Sequence, residues 1–120
     1  MPNDLASALA ISASGMKAQG TRLKIVAQNI ANASSTADKT GGDPYRRKII
    51  TFANVLDKEL GARLVEIKNL KEDKSDFRLK YDPNHPSANK EGFVEMPNVN
   101  ALVEMMDMRE AQRSYEANLN

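Results

Sequence analysis

Leu9, Met16, Leu23 and Ile30 recur at intervals of seven along a proline-free stretch running from Asp4 to Asn32. With Leu5 and Val26 beside them, this is the spacing of a coiled-coil seam. It predicts one N-terminal helix about 43 Å long at 1.5 Å per residue, with Asn3 or Asp4 as its N-cap. The remaining seam positions, Ser12, Ala13, Gln19, Gly20 and Ala27, are small or polar. The stripe is therefore narrow, and Gly15 and Gly20 each weaken the helix by about 1 kcal/mol relative to Ala. Small residues in return let a second backbone approach closely. The helix is expected to finish in alternating amides and alanines, "QNIANAS".

The period then changes. "SSTADKTGGDP" (34–44) is turn and loop material. "RRKIITFA" (46–53), "ARLVEIKN" (62–69), "FRLKY" (77–81) and "GFVEM" (92–96) are short β-favouring runs, mostly alternating. Within 62–69, Leu64, Glu66 and Lys68 face one way and Val65 and Ile67 the other. Helical spacing returns after Pro97, with Asn98 or Asn100 as cap, and Val99, Leu102, Val103 and Met106 forming an i, i+3, i+4, i+7 face. Met105 and Met108 widen that face and predict a second contact side. The pattern stops at Asn120 without a C-cap, as a helix interrupted in mid-course would. These elements predict an α+β fold. Long terminal helices (1–36 and 97–120) pair as an antiparallel coiled coil around a loop and small β-rich insertion (37–96).

Composition sharpens this picture in two places. Aromatic residues make up 5% of the chain and mean hydropathy is -0.54, so large core-forming side chains are scarce and burial against partners is expected. The formal net charge of +1 advertises neither nucleic acid nor an anionic membrane. Its distribution is uneven: Lys17, Arg22 and Lys24 outnumber Asp4 at one end, while Glu104, Asp107, Glu110 and Glu116 outnumber Arg109 and Arg113 at the other. Opposite signs suit a helix pair. Without cysteine, disulfides, thiolate metal sites and thiol catalysis are excluded. The opening residues lack the basic region of a secretory signal, and no apolar run is long enough to span a bilayer. On composition alone the chain reads as soluble and cytosolic.

Candidate chemistry is thin. Asp82 and His85 in "YDPNHP" could form a metal or hydrolytic pair, but two ligands are too few for a closed zinc site. Pro83, Pro86 and an Asx-turn at Asp82 account for the loop more simply. "KTGGDP" lacks the GK[ST] of a phosphate loop. "YRRK" (45–48) has too few basic and aromatic neighbours for nucleic acid, and is expected to pair with acids on a neighbour or to form a solvated strand edge. No catalytic, cofactor-binding or metal-binding residues are assigned.

"LAISASGMKAQGTRLKIVAQNIANAS" followed by "GGDPYRRK" resembles the N-terminal region of bacterial flagellar axial proteins, the rod and hook group. Asn29, Ile30, Ala31 and Asn32 with Tyr45 carry that likeness. "MPNVNALVEMMDMREAQRSYEANLN" is similar to the C-terminal counterpart, with its Arg-x-Tyr-Glu-Ala-Asn element at Arg113 to Asn118. "YDPNHPSANKEGFVEMPNVN" is similar to the proximal-rod members. The chain departs from the family at "ANASSTADK", where members continue with a Thr-Pro, and in the further helical turns that members carry beyond the position of Asn120.

The resemblance implies a structural, non-enzymatic subunit of the proximal rod, without cofactor. It implies export through the flagellar type III apparatus without a cleaved signal, and residence in the periplasmic rod of the basal body, which replaces the cytosolic reading. Implied partners are further copies, adjacent proximal and distal rod subunits and the rod-base adaptor at the MS-ring junction, with no nucleic acid and no membrane insertion. Expected packing residues are Leu9, Met16, Leu23, Val26, Asn29, Ile30 and Asn32 on the first helix. Their counterparts are Asn98, Val99, Asn100, Leu102, Val103, Met106, Tyr115 and Asn118. The amides are expected to satisfy helix ends and bridge to the next subunit, with nothing ionisable required. The alternatives are another rod subunit, or a soluble helical adaptor or secreted interaction protein using the same face.

Overall fold

The computed structural model describes residues 4–119, in the order α1 (Asp4–Ala31), β1 (Lys48–Asp57), β2 (Ala62–Glu72), β3 (Arg78–Tyr81), β4 (Phe93–Met96) and α2 (Ala101–Leu119). Asn3 and Asn120 lie outside the described residues. The class is α+β, as expected, with the long helices at either end of the described chain.

Asp4 sits in the first turn of α1, where its charge suits the positive end of the helix dipole. At the other end Asn32 Nδ2 donates to the carbonyl of Gln28 at 2.9 Å, and Ser35 Oγ donates to Asn32 Oδ1 at 3.0 Å. The amide adds a second donor to a helix-end carbonyl that already accepts the Asn32 backbone N–H at 3.0 Å.

β1 and β2 form an antiparallel hairpin longer than the expected runs. Its turn is closed by Asp57, whose Oδ1 accepts from the N–H groups of Glu59 and Leu60, while Gly61 takes the left-handed conformation at φ 64°. A bulge opposite Thr51 and Phe52 leaves Lys68 without a register partner, so the strict alternation read from sequence ends at Ile67. The hairpin lies along α1. Ser7 Oγ donates to the Leu60 carbonyl at 3.0 Å, and Val65 N–H donates to Ser14 Oγ at 3.2 Å. Val65 and Ile67 line a groove with Lys17 and Ala18.

β3 and β4 form a second antiparallel pair, braced by an edge-to-face contact between Tyr81 and Phe93 with centroids 5.4 Å apart. α2 is capped by Asn100, whose Oδ1 accepts from the N–H of Leu102 at 3.1 Å and of Val103 at 3.4 Å. It runs antiparallel to α1: Glu104 lies beside Asn29, Asp107 and Glu110 beside Arg22, and Asn118 beside Gly15.

The molecule extends over 68 × 24 × 17 Å, with a radius of gyration of 19.4 Å, against roughly 14 Å for a compact domain of this length. It exposes 8390 Å², where a compact monomer of this mass exposes about 6,400 Å².

Candidate functional site

The tightest arrangement in the molecule is polar, at the point where the end of α1, the start of β1 and the start of α2 converge. Asn29 and Glu104 are each 1% exposed. Asn29 uses both ends of its amide: Oδ1 accepts from the Tyr45 hydroxyl at 2.7 Å and from Lys48 N–H at 2.9 Å. Its Nδ2 donates to the Lys48 carbonyl at 2.8 Å and to Glu104 Oε2 at 3.3 Å. Arg47 Nε donates to Glu104 Oε1, and Arg47 also pairs with Asp73 at 3.2 Å. Asn98 Oδ1 accepts from the Arg47 N–H at 2.7 Å, while its Nδ2 donates to the Asp73 carbonyl at 2.8 Å. Arg46 donates to the Asp73 and Ser75 carbonyls and stacks 4.1 Å above the Phe77 ring.

The electrostatics follow from these contacts. Burial, then the negative charges of Glu104 and Glu72, raise Tyr45 above its ordinary value and keep the phenol a neutral donor. Burial pulls the Arg47 guanidinium down, but hydrogen bonds to and charges on Glu104 and Asp73 outweigh it and leave it raised. Asp73 is held below the ordinary carboxylate value by the Ser75 N–H and hydroxyl, and then by Arg47. A buried carboxylate is tolerable only with such partners. The expectation that nothing ionisable is needed at these amides is therefore overturned: a buried acid and an arginine stand at their centre.

The helices pair, but not through the seam the spacing predicts. On α1 the buried positions are Gly15, Ala18, Ile25, Val26 and Asn29. Of the expected packing row only Val26 and Asn29 are buried. Met16, Leu23, Ile30 and Asn32 are half-buried and Leu9 is exposed, because the heptad row lies about a third of a turn from the face that meets the hairpin and α2. On α2 the difference is larger. Its buried residues are Glu104 and Ala111, with half-buried Asp107, Met108, Ser114, Tyr115 and Asn118 on the same side. Leu102 and Met106, 69% and 65% exposed, point about 160° away from Glu104, and Val103 is exposed as well.

The physical reason is steric as well as polar. A Cβ on Gly15 would stand 2.7 Å from Asn118 Oδ1, so the helices meet where side chains are smallest. Fully burying a Leu or Met is worth about 1.5–3 kcal/mol, which α2 forgoes on its outer side. Val99, 1% exposed, and Asn98 anchor the approach to α2 rather than its seam, while Asn100 is exposed as the cap.

The other sequence candidates resolve as structure. His85 N–H donates to the Asp82 carbonyl at 3.1 Å, so the turn is closed by backbone rather than by the Asp82 side chain. His85 Nδ1 accepts from Ser87 N–H at 3.0 Å, and its Nε2 lies 3.1 Å from Thr36 Oγ1. Within the "YRRK" cluster Arg47 pairs with Glu104 and Asp73 of its own chain, and Arg46 donates to backbone carbonyls. Glu104 and Arg47 were invisible to periodicity, which reads a Glu on a helix as solvent-facing. The one available signal was the opposite charge of the chain ends, realised in Arg22 with Asp107 and Glu110. Among the described residues no helix is long and apolar enough to cross a membrane.

Comparison with known proteins places the chain. The family described as "Flagella basal body rod protein" matches residues 9–37, and "Flagellar basal body rod FlgEFG protein C-terminal" matches residues 90–120. Thus the matched segments are α1 with the loop after it, and α2 with the strand that feeds it. Relatives named flagellar basal-body rod protein FlgC extend the likeness across the β-rich middle. The Agrobacterium fabrum protein is 55% identical over 115 residues, covering 96% of this chain and 83% of its own. The Bacillus subtilis protein is 40% identical over 126 residues, covering 92% and 84%. The Salmonella typhimurium protein is 36% identical over 109 residues, covering 91% and 81%. Identity of this order over nearly the whole length is decisive, and the chain belongs to the FlgC family of flagellar basal-body rod proteins.

Proposed function

We propose that this chain is a structural subunit of the flagellar proximal rod that transmits torque through static helix packing and performs no catalysis. The observation that carries this, in a chain of this family, is the row of apolar side chains on the outside of the helix pair. Leu9 on α1 and Leu102, Val103, Met105 and Met106 on α2 are exposed. Such a surface on an elongated chain fits burial against neighbours in a tube. On this reading Leu9, Met16, Leu23 and Ile30 join Leu102, Val103 and Met106 as subunit contacts, while Val26, Asn29, Asn98, Val99, Tyr115 and Asn118 hold the shape that presents them.

Further copies and adjacent proximal and distal rod subunits would occupy that surface, with the rod-base adaptor at the MS-ring junction. Export would run through the flagellar type III apparatus into the periplasmic rod. The helical segments 1–36 and 97–120 form the assembly unit in this scheme, and 37–96 the β-rich appendage.

The test is the double variant L102D/M106D in a strain lacking the native gene. Both side chains are exposed in the monomer, so its melting temperature should stay within about 4 °C of the parent, surface changes costing within about 0.5 kcal/mol each. Motility and recovery of the chain in purified basal bodies should be lost. Normal incorporation would refute the proposal.

A further inference from the structure

α2 presents a small and polar face to α1 and an apolar one to solvent. Hydrophobic burial alone favours the opposite rotation. Something must hold the helix in the less apolar setting, and two polar contacts are placed to do so. Glu104, in the first turn of α2, is 1% exposed and bonded to both Arg47 and Asn29. One turn further on, Asp107 pairs with Arg22 of α1. Before the helix begins, Asn98 is tied to Arg47 N–H and to the Asp73 carbonyl. The chain therefore enters α2 at a fixed point, and what remains free is rotation about the helix axis.

We propose that Glu104 is a rotational pin. Its pairing with Arg47 and Asn29 selects the face that α2 turns to α1, and so keeps Leu102 and Met106 outward. Turning α2 by about 160° would bring those two side chains inward, but it would strand the half-buried guanidinium of Arg47 and the buried amide of Asn29 without their shared acceptor. Leaving such groups unpaired opposes the rotation more strongly than apolar burial favours it. The pin thus trades monomer burial for a presented surface. That this surface serves assembly rests on the function proposed above; the rotational selection itself does not.

The test reads the free chain and needs no rod. Met106 is exposed and Met108 is half-buried on the inward side. Under limiting hydrogen peroxide, with oxidation followed per peptide by mass spectrometry, Met106 should oxidise several-fold faster than Met108 in the parent. Set in an Asp107→Ala background, which removes the second contact and should by itself keep the parental order, the charge-free pair Glu104→Leu with Arg47→Leu should invert it, because neither polar contact then holds the face. Glu104→Gln, which keeps one acceptor oxygen for Arg47 but turns an N–H toward Asn29 Nδ2, should narrow the difference between the two methionines without inverting it. An unchanged order in the apolar pair, or equal rapid oxidation of both methionines, would overturn the proposal; the second outcome would mean that Glu104 docks the helix without choosing its face. Loss of rod assembly with an unchanged order would count against the pin while leaving the proposed function standing.

Discussion

Replacing Asn29 separates the geometry of the buried junction from its charge. Asn29→Leu is close to isosteric and removes all four hydrogen bonds. The Tyr45 hydroxyl can turn toward water, but the Lys48 N–H, the Lys48 carbonyl and Glu104 Oε2 lose a partner. At about 1–3 kcal/mol for each buried polar group left unsatisfied, and with Lys48 only half-buried, the expected cost is about 2–5 kcal/mol. Asn29→Asp keeps both acceptor bonds from Tyr45 and Lys48, yet it sets a second carboxylate oxygen where Nδ2 lies, 3.3 Å from Glu104 Oε2. At an effective dielectric of 20 that repulsion is about 5 kcal/mol before Arg47 offsets part of it. A chain of this length has a total stability of roughly 6–18 kcal/mol, so either change is large. Urea unfolding followed by circular dichroism at pH 7 should rank the parent above Asn29→Leu, and Asn29→Leu above Asn29→Asp. The Asp variant should lose about 2 M in midpoint at a typical slope of about 2 kcal/mol/M. On acidification, as the introduced carboxyl takes up a proton under the repulsion of its neighbour, the gap between the two variants should close. If Asn29→Asp is as stable as Asn29→Leu at pH 7, or the gap is unchanged on acidification, charge is not what makes an amide necessary here.

Two further predictions concern packing and acid. Gly15→Leu should separate α1 from α2 and cost about 1–3 kcal/mol. Gly15→Ala combined with Asn118→Ala should instead raise the urea midpoint, by the roughly 1 kcal/mol that Ala gains over Gly in a helix, because the amide that a Cβ would strike is gone. Asp73 has a folded-state pKa below its ordinary value of 3.8. Its stabilising contribution is present above that value and is lost as pH falls from there through the lowered folded value. Asp73→Asn should accordingly be less stable than the parent at neutral pH, with a deficit that shrinks steadily on acidification below about pH 4; a deficit independent of pH would refute the assignment.

The alternation of "KIITFA" and "ARLVEIKN", the Pro97 stop, the Asn100 cap and the helical spacing at both ends were enough to define four strands and two helices. These are local preferences, set by backbone sterics and capping chemistry within a few residues. The opposite charges of the two ends also anticipated an antiparallel pair. What periodicity could not supply was which face of each helix turns inward. It assumes that the most apolar row is the buried one, and on α2 that assumption fails: Leu102 and Met106 lie outside while Glu104 lies inside. The choice depends on Arg47, fifty-seven positions away from Glu104, and on Gly15, whose missing side chain makes room for Asn118 at the far end of the pair. Long-range pairing of a buried charge and the closest approach of two backbones exist only once the chain has folded back on itself. Local sequence therefore decided the elements, and tertiary contact decided their rotation and the surface they present.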